Sequence, residues 1–539
     1  MPAQSSPQVI RPAAPPVTTL RTVAELTGAR SAGSAGMLTG AESQVQLTGI
    51  EQRSNAVLPG DLFAGLAGTH AHGARFARAA VERGAVAIFT DPAGAELIGA
   101  IDVPVLVHEA PRSVLGALSS ALYGDPSRTL RIIGITGTSG KTTTAYLVEA
   151  GLAAAGFRTA LLGTIETRIG GVRVPSALTT PEAPQLHAMF AVMVEQGVQA
   201  VVMEVSSHAL ALGRVDGVRF AVGAFTNLSQ DHLDFHADFE DYYAAKRRLF
   251  VPADSAVVPA ATAVLCIDDE WGTRLAGDVT VAAMANGQPQ IVTVTTRPGV
   301  GADWIAGAAT QAAASQQFEA TGPGVNLEVR LRLPGAYNIA NGLLALAVCA
   351  AAGADVASAA AALGEVDVPG RMQRVERGQD FLAVVDYAHK PAAIESVVAT
   401  LRALLAEQDG GRLAVVVGAG GDRDAGKRPL MGAAGARGAD LLIITDDNPR
   451  SEDPAAIRAA VRAGADEVPP GERGQVREVG DRADAIAAAV DWANPGDVVL
   501  IAGKGHETGQ EISGVKYPFD DREVLAAALS RRTRDLTHS

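Results

Sequence analysis

Cysteine is scarce in this chain. Its 539 residues include only two cysteines, Cys266 and Cys349, which lie far apart and form no Cys-x-x-Cys pair. This scarcity excludes a disulfide framework and a cysteine-based zinc site, and it suits a reducing compartment. We therefore expect a cytoplasmic protein.

Long apolar runs are absent as well. The longest apolar helical stretch, around residues 339–353, is too short and too often interrupted by polar residues to cross a bilayer. Residues 1–18 are rich in Pro, Ala, Ser and Gln and contain no continuous apolar segment. They predict a flexible tail and not a signal peptide, so we expect no membrane insertion.

Positive charge is in deficit. The chain has 45 Lys and Arg against 59 Asp and Glu, which gives a formal net charge of −14 at pH 7. This balance argues against a protein that binds nucleic acid or anionic membranes non-specifically. A small polyanionic substrate is still compatible with it, because such a ligand needs only a local positive pocket.

The order of apolar runs predicts an α/β protein. A chain of 539 residues has room for three or four domains of about 150 residues each. Strand patterns alternate with helical patterns, which is typical of parallel sheets with right-handed crossovers. After the tail we predict a small N-terminal α/β domain at 19–129, a central domain at 130–368 and a C-terminal domain at 369–539.

A glycine-rich loop directly follows an apolar, β-branched strand at residues 130–135. The loop reads Gly137-Thr138-Ser139-Gly140-Lys141-Thr142-Thr143, and a helical pattern comes after it. In such a loop, backbone N–H groups and the helix N-terminus face phosphate oxygens, the lysine adds a charge, and the threonine hydroxyl is available to Mg²⁺. The alternative is an ordinary strand–turn–helix, but Gly-Lys-Thr after a strand has few structural reasons to exist.

Polar residues close two further strands of the central region. Glu204 ends one apolar run, while Asn227 and His232 follow another. Ligands of parallel sheets lie at the carboxyl ends of the strands, so we expect these residues on the same rim as Lys141. Glu204 could hold Mg²⁺ opposite phosphate oxygens or be a solvated surface acid. His232 fits a metal ligand, a phosphate contact or a capped core histidine.

Lys246 occupies an unusual position in a predicted helix. Phe239, Tyr243, Lys246 and Phe250 fall at i, i+4, i+7 and i+11, which places the lysine within the apolar stripe. A buried ammonium needs a partner or a lowered pKa, and a neutral amine can react with CO₂ to give an anionic carbamate. The alternative is that the lysine stem snorkels to solvent.

Three strand-end loops of the C-terminal region carry charges of both signs. Arg423, Asp447, Arg450 and Glu507 come from these separate loops. Together they offer cations for a carboxylate and carboxylates for an amine, which suits a zwitterionic amino acid. Solvated loop charges are the alternative. A dinucleotide fingerprint is not present, because Arg423 stands where a glycine is required.

In this order the motifs resemble those of the Mur ligase family, ATP-dependent amino-acid ligases of cell-wall precursor synthesis. The resemblance covers nearly the whole chain. It implies an N-terminal UDP-binding domain, a central P-loop ATPase-like parallel sheet and a Rossmann-like C-terminal domain. The motifs that carry it are Pro59-Gly60-Asp61, the loop at 136–143, Thr179-Thr180-Pro181, the segments 204–208 and 226–232, Lys246, Asn338, Gly370-Arg371 and the segment 386–389.

Within the family, Asp447-Asn448-Pro449-Arg450 resembles the signature of members that add meso-2,6-diaminopimelate to UDP-N-acetylmuramoyl-L-alanyl-D-glutamate. Members that add L-lysine lack this arginine pattern. Diaminopimelate carries a carboxylate and an amine at its far end, whereas lysine carries only the amine. An arginine fork would recognise the additional carboxylate.

The resemblance implies a mechanism through an acyl phosphate. ATP phosphorylates the D-glutamate carboxyl, and the diaminopimelate amine then displaces phosphate. By position, Lys141, Glu204, His232 and Lys246 match catalytic residues. Thr142, Glu204, His232 and a carbamate on Lys246 match Mg²⁺ ligands.

The remaining site residues also follow from the resemblance by position. ATP would contact Gly137, Thr138, Ser139, Gly140, Lys141, Thr142, Thr143, Asn338, Arg371 and Asp386. The UDP-sugar peptide would contact Ser54, Thr179, Thr180, Ser206 and Arg214. Diaminopimelate would contact Arg423, Asp447, Asn448, Pro449, Arg450, Gly503 and Glu507.

We therefore expect a cytoplasmic, monomeric ligase of peptidoglycan synthesis that uses ATP and Mg²⁺ and has only small-molecule partners. Two neighbouring activities stay open, an L-lysine-adding ligase and a folylpolyglutamate synthase-like ligase. A different class is also open, namely a nucleotide-switch protein that has the P-loop but performs no ligation.

Overall fold

The computed structural model describes residues 9–32, 38, 40–68, 71–174, 178–232, 235–252, 257–312, 315–407 and 410–538. The chain forms two compact units. The first unit comprises Met1–Ile305, Ala320–Asn326 and Ala340–Ala362. The second unit comprises Ala306–Glu319, Leu327–Ile339 and Leu363–Ser539.

The N-terminal part of the first unit contains seven short strands and four helices among its described residues. The strands are β1 (Thr18–Thr19), β2 (Arg30–Ser31), β3 (Gln46–Leu47), β4 (Gly49–Glu51), β5 (Asp61–Ala64), β6 (Ala87–Thr90) and β7 (Val105–Val107). The helices are α1 (Leu20–Thr27), α2 (Ala77–Glu82), α3 (Pro92–Ile98) and α4 (Pro111–Leu122), with 3₁₀ turns at Glu42–Gln44, Ser54–Ala56, Gly73–Phe76 and Pro126–Arg128.

Five of these strands form one sheet in the order β2-β7-β6-β5-β4. Strands β4 to β7 run parallel, and β2 pairs antiparallel with β7. The sheet is buried on both faces, because Leu62 and Phe89 belong to one apolar cluster while Phe63 and Ile88 belong to another. The expected N-terminal α/β domain is therefore present.

The central region is a series of strands with intervening helices. The strands are β8 (Arg131–Thr136), β9 (Thr159–Leu162), β10 (Thr167–Ile169), β11 (Val172–Val174), β12 (Ala200–Glu204), β13 (Val222–Phe225), β14 (Thr262–Cys266), β15 (Gln290–Thr295), β16 (Trp304–Ala312), β17 (Ser315–Gly322) and β18 (Val325–Leu331). The helices are α5 (Lys141–Ala154), α6 (Ala183–Glu195), α7 (Ser207–Ala211), α8 (Phe239–Arg247), α9 (Glu270–Asn286), α10 (Ala336–Ala351) and α11 (Val356–Leu363).

The first eight of these strands are ordered β11-β10-β9-β12-β8-β13-β14-β15. Strands β9, β12, β8, β13, β14 and β15 are parallel neighbours, and β10 and β11 form an antiparallel edge. Trp304 and Ile305 of β16 continue this sheet, parallel to β15. Strand β8, which leads into the glycine loop, thus lies between β12 and β13.

The C-terminal region contains a second parallel sheet. Its strands are β19 (Gln373–Arg374), β20 (Leu382–Asp386), β21 (Leu413–Val417), β22 (Leu441–Ile444), β23 (Gln475–Glu478) and β24 (Val498–Ala502), followed by the hairpin β25 (Gly509–Ile512) and β26 (Val515–Pro518). The helices are α12 (Pro391–Glu407), α13 (Lys427–Gly438), α14 (Pro454–Glu467), α15 (Arg482–Trp492) and α16 (Asp521–His538).

This sheet is doubly wound. Its order is β19-β20-β24-β21-β22-β23, and every pair except β19 with β20 is parallel. Alternate residues of β21 point to opposite faces. Leu413 and Val415 join one apolar cluster, and Ala414 and Val416 join the other. Helices therefore cover both faces, and the expected Rossmann-like architecture is confirmed.

Part of the predicted tail is tied to the N-terminal sheet. Arg11 donates from Nη2 to Ile50 O at 3.0 Å and to Asp61 Oδ2 at 3.1 Å. The N–H groups of Ala13 and Ala14 donate to the Glu195 carboxylate at 2.9 Å. The expectation of a loose tail therefore does not hold for Arg11 to Ala14, while residues 1–8 lie outside the described part. Composition missed this anchor because it rests on long-range charge pairing.

Among the described residues, no helix combines the length and the apolar character that a membrane span requires.

A buried histidine makes the stability of the first unit depend on pH. His187 of α6 is fully buried, and its Nε2 lies within hydrogen-bond distance of the acceptor Asp216 O, at 3.1 Å. Burial lowers its pKa from 6.5 to about 4, against a smaller upward effect of Asp216 O. The imidazole therefore stays neutral in the native protein at a pH where the unfolded chain binds a proton. This contribution to stability is complete above pH 6.5 and falls as the pH drops towards 4.

We predict that His187→Gln flattens this dependence. The amide can still donate to Asp216 O but does not titrate. Between about pH 7 and pH 5, the free energy of unfolding should fall about 2 kcal/mol less in the variant than in the unmodified chain. Urea unfolding of both proteins across this range measures the difference. Equal slopes against pH would contradict the assignment.

Candidate active site

At two positions of the glycine loop the backbone has a conformation that only glycine adopts readily. Gly137 has φ +143° and Gly140 has φ +85°. A Cβ on Gly137 would lie 1.8 Å from Thr226 Oγ1, and one on Gly140 would lie 2.3 Å from Asn341 Oδ1. Both glycines are therefore required for close packing of the loop as well as for its conformation.

The end of β13 holds the loop in place. Ser139 N–H donates to Asn227 Oδ1 at 3.0 Å, and Thr226 Oγ1 donates to Ser139 O at 2.7 Å. Thr138 N–H donates to Asn227 O at 2.9 Å. The strand end and the glycine loop thus form one rigid rim, as the parallel order of β8 and β13 predicts.

Lys141 and Lys246 converge on the same carbonyl oxygen. Lys141 Nζ donates to Gly137 O and Thr138 O, both at 2.9 Å. Lys246 Nζ donates to Gly137 O at 2.8 Å. Two lysine amines therefore meet at one carbonyl oxygen of the loop, a position that suits the binding of an anion.

Lys246 is buried and does not snorkel. Its exposed fraction is 1%, and its Nζ also lies 4.5 Å from the centroid of the Tyr242 ring. Tyr242 in turn shares a hydrogen bond of 3.1 Å between its hydroxyl and Thr138 Oγ1. Helix α8 therefore delivers the lysine to the underside of the loop, and the snorkelling alternative is wrong.

Glu204 faces the first turn of α5. Thr142 Oγ1 donates to both carboxylate oxygens of Glu204, at 3.0 and 3.1 Å. The Glu204 residue is 1% exposed, so the surface-acid alternative is wrong. Sequence reasoning missed a second neighbour of this carboxylate, Thr164, which donates its N–H to Oε1 at 2.8 Å and its hydroxyl to Oε2 at 3.1 Å. Thr164 lies in a loop without a repeating pattern, so no sequence signal marked it.

His232 stands at the edge of this group. Its backbone φ is +53°, and its side chain is 42% exposed, which excludes a core histidine. Its Nε2 lies 3.1 Å from Asp231 Oδ2. Its ring packs edge-on against His208 at 4.9 Å and lies 6.1 Å from Tyr242. His232 and Lys246 therefore both lie near the ring of Tyr242.

The oxygen atoms around Thr142 fit a hard cation that takes only a few ligands from the protein and the others from phosphates and waters. Among the residues that the structure describes, no three His, Cys, Asp or Glu side chains gather into a group able to hold a metal. The Thr142 hydroxyl and the Glu204 carboxylate nevertheless lie within hydrogen-bond distance of each other, at 3.0 Å. Mg²⁺ typically takes one or two carboxylates and completes its shell with phosphates and waters, so this donor set fits it.

The residues expected at the UDP-sugar peptide cluster beside Glu204. Thr180 Oγ1 donates to Glu204 O at 2.9 Å and accepts from Ser206 N–H at 3.3 Å. Arg214 reaches Thr180 O at 3.4 Å and pairs with Glu182 at 2.8 Å. Thr179 shares a hydrogen bond of 3.1 Å with Thr164.

Ser54 lies in the N-terminal sheet region, within the 3₁₀ turn Ser54–Ala56. The buried Glu51 holds this turn by accepting from Arg53 N–H at 3.1 Å and from Arg53 Nη2 at 2.7 Å. Gln185 at the start of α6 also donates to Glu51, at 3.4 Å. This contact ties the turn that carries Ser54 to the helix that follows Thr179 and Thr180.

Three of the expected ATP contacts belong to the second unit. Asp386 ends β20 and accepts from Met372 N–H at 2.7 Å and Ala388 N–H at 2.8 Å. Burial raises the pKa of Asp386, against the opposing charge of Arg371. The Arg371 guanidinium lies 4.5 Å over the ring of Tyr387. Asn338 is buried and donates to Pro334 O at 2.8 Å.

The three charged loops of the second unit meet at one rim, because β24, β21 and β22 are neighbours. Arg450 donates from Nη1 to Gly421 O at 2.6 Å, and Asn448 Nδ2 donates to Glu507 Oε2 at 2.9 Å. Arg423 is exposed on the same loop as Gly421. The three loops therefore lie together, while the alternative of solvated loop charges stays open for Arg423, which is exposed.

A buried lysine at this rim escaped the sequence reasoning. Lys504 is fully buried, and its Nζ donates to Asp447 Oδ1 at 3.1 Å, Asn448 Oδ1 at 3.0 Å and Glu507 Oε2 at 3.3 Å. Burial acts to raise the pKa of Asp447, but Lys504 and Arg482 outweigh it and hold that pKa below its ordinary value. The available signal was its position between Gly503 and Gly505, since glycines on both sides allow the close approach of other backbone.

Family models match most of the chain. The model described as "Mur ligase family, catalytic domain" matches residues 46–123. The "Mur ligase middle domain" matches residues 135–349, and the "Mur ligase, glutamate ligase domain" matches residues 370–505.

Relatives of known name resemble the chain over most of its length. A UDP-N-acetylmuramoyl-L-alanyl-D-glutamate--2,6-diaminopimelate ligase of Corynebacterium glutamicum is 53% identical over 87% of this chain and 89% of its own. One of the same name from Streptomyces coelicolor is 51% identical over 91% of this chain and 94% of its own. A solved structure of a ligase with this name is 30% identical, with a TM-score of 0.66 over 97% of this chain and 100% of its own. The chain, with its glycine loop, buried lysine and charged C-terminal rim, is therefore a member of the Mur ligase family.

Proposed function

We propose that this ligase adds meso-2,6-diaminopimelate to the D-glutamate carboxyl of UDP-N-acetylmuramoyl-L-alanyl-D-glutamate at the expense of ATP. The rim of the second unit carries the proposal, because Asp447, Asn448 and Glu507 form one hydrogen-bonded group there with Lys504. Arg450 follows in the same loop and donates to Gly421 O at the neighbouring strand end. The names of relatives that are 50–53% identical support the same substrate.

The first unit would carry out the phosphoryl transfer. The N–H groups of the loop, the N-terminus of α5 and Lys141 would bind the phosphates of ATP. Lys141 would turn from Gly137 O and Thr138 O towards the γ-phosphate. Thr142 and Glu204 would hold Mg²⁺, which supplies positive charge to the phosphate oxygens when bound. The product of this step is an acyl phosphate of the D-glutamate carboxyl, together with ADP.

Thr179, Thr180, Ser206 and Arg214 would hold the precursor. They lie next to Glu204, so a precursor bound there brings its carboxyl close to the phosphate site. Ser54 would contact the UDP end. The guanidinium of Arg214 gives an anionic ligand a fixed partner, since Glu182 orients it.

Lys246 would act as a carbamate. The ammonium first loses one proton, and the neutral amine then adds to CO₂ and releases a second proton, so that a buried cation becomes a buried anion. This conversion replaces one of the two positive charges at Gly137 O with a negative one. The carbamate would then help to position Mg²⁺, as would His232, whose ring lies near Tyr242 as Lys246 Nζ does.

The second unit would bind the amino acid. Arg450 and Arg423 would receive the far carboxylate of diaminopimelate, and Glu507 and Asp447 would accept from its far amine. Pro449 and Gly503 would shape the pocket, while Asn338, Arg371 and Asp386 would hold the adenosine part of ATP. The attacking amine displaces phosphate from the acyl phosphate and forms the amide.

We also propose the domain limits 19–129, 130–368 and 369–539, a monomeric state and a cytoplasmic location. Both cysteines are free and buried, which supports a reducing compartment. ADP release only in the presence of both precursor and amino acid would separate a ligase from a nucleotide-switch protein.

The decisive experiment measures the mass of the product. We expect the tripeptide product with meso-diaminopimelate and little or none with L-lysine or L-glutamate. Turnover with L-lysine at a comparable kcat/KM would favour the lysine-adding alternative. Turnover with glutamate on a folate substrate would favour the folylpolyglutamate synthase-like alternative.

We predict that Arg450→Ala weakens the binding of diaminopimelate far more than the binding of ATP. The loss of a charged donor to a carboxylate costs about 2–4 kcal/mol, so the KM for diaminopimelate should rise about 30-fold or more while the KM for ATP changes little. Arg462→Ala is the matched control, because within the described residues that arginine forms its ion pair with Asp466 alone, on the exposed face of α14. Equal increases of both KM values would count against the pocket.

We predict that Lys246→Ala abolishes ligation and that a short-chain carboxylic acid partly restores it. The added acid would occupy the space of the carbamate and supply its charge. Lys246→Arg, which keeps the positive charge but does not form a carbamate, should remain inactive and should not respond to the acid. Steady-state rates with and without the acid measure this, and full activity of the untreated Ala variant would remove the carbamate from the mechanism.

A further inference from the structure

The loop after β9 forms a seat for the Glu204 carboxylate. Thr164 donates its N–H to Oε1 at 2.8 Å and its hydroxyl to Oε2 at 3.1 Å. A Cβ on Gly163 would lie 2.7 Å from Glu204 Oε1, so the carboxylate presses directly on this glycine. Two side-chain donors therefore reach Glu204 from different elements, Thr164 from the loop after β9 and Thr142 from the first turn of α5.

The Thr164 hydroxyl also lies near Thr179, one of the residues proposed to contact the UDP-sugar peptide precursor. Thr164 Oγ1 lies 3.1 Å from Thr179 Oγ1. A threonine hydroxyl has one proton and accepts through its lone pairs, and an ionised carboxylate only accepts. Because Thr164 gives its proton to Glu204, the hydrogen bond between the two threonines must run from Thr179 to Thr164.

A directed series of hydrogen bonds thus leads from Thr179 through Thr164 to Glu204. Each bond in such a series polarises the next one, so a change at one end alters the other. A precursor group that binds the Thr179 hydroxyl changes the donor strength of Thr164 towards Glu204. A second contact also joins this segment to Glu204, since the Thr180 hydroxyl donates to the Glu204 backbone oxygen at 2.9 Å.

We infer that Thr164 is a positioning residue that couples precursor binding at Thr179 to the orientation of Glu204, and hence to divalent-cation binding. This inference rests on the proposed function. The coupling is reciprocal: the precursor tightens cation binding, and the cation tightens precursor binding by the same factor. The cation is then held most firmly when a carboxyl is present to be phosphorylated.

The test uses Mn²⁺ as a probe cation and requires no turnover. The dissociation constant of Mn²⁺ is measured by electron paramagnetic resonance on the full chain with a non-hydrolysable ATP analogue, with and without the UDP-N-acetylmuramoyl dipeptide. We expect the dipeptide to tighten Mn²⁺ binding at least about 5-fold in the unmodified chain. In Thr164→Val, which keeps the N–H and the volume but loses the hydroxyl, this factor should fall close to one. Mn²⁺ binding itself should weaken about 10-fold.

Two further variants separate coupling from a structural role. Thr164→Ser keeps the hydroxyl and should retain the coupling. Thr159→Val is the matched control, because the Thr159 hydroxyl at the start of β9 donates to Glu149 at 2.7 Å and to no other side chain in the described part of the protein. It should leave Mn²⁺ and dipeptide binding unchanged.

Thr179→Val provides an independent measurement if Thr164→Val does not fold. Thr179 makes no recorded contact with the Glu204 side chain among the described residues, yet its loss should also remove the coupling. The double variant should lose no more than either single variant, because both act through one series of hydrogen bonds.

Persistence of the full coupling factor in a folded Thr164→Val or Thr179→Val protein would overturn the inference, even if the unmodified chain forms the tripeptide. Absence of coupling in the unmodified chain would overturn it as well. An unmodified chain that forms no tripeptide would overturn the proposed function and this inference together.

Discussion

The convergence of two lysines on the carbonyl oxygen of Gly137 is the constraint on which the site depends. Lys141 and Lys246 arrive from different helices, and a side chain on Gly137 would collide with Thr226, which itself holds the loop by donating to Ser139 O. In the proposed mechanism the triphosphate would bind at this loop and a carbamate would replace one of the two amines. We therefore expect nucleotide binding and the state of Lys246 to affect each other.

Regular elements followed from the sequence because their apolar patterns are local. The strand predicted at residues 130–135 agrees with β8 to within one residue at each end, and the glycine loop follows it and leads into α5 as its motif predicts. The position of Glu204 and Asn227 near the glycine loop was also predictable, since parallel neighbouring strands end on the same side of a sheet.

Residues held by long-range polar contacts did not follow from the sequence. Arg11 lies in a stretch whose composition indicates disorder, yet it pairs with a carboxylate 50 positions away. Thr164 and Lys504 lie in irregular loops, where no periodicity reveals burial. The helical spacing of Lys246 placed it on an apolar face but left snorkelling open, and only its contacts with Gly137 and Tyr242 decided between the two.

The buried ammonium of Lys504 gives the C-terminal rim a means of rejection as well as attraction. It already occupies hydrogen-bonding capacity of Asp447, Asn448 and Glu507. A ligand side chain that ends in an ammonium alone would have to share Asp447 and Glu507 with Lys504, and it would offer no carboxylate to Arg450. A side chain that ends in both an ammonium and a carboxylate would offer one, so we expect this rim to select against the simpler amino acid as well as for the larger one.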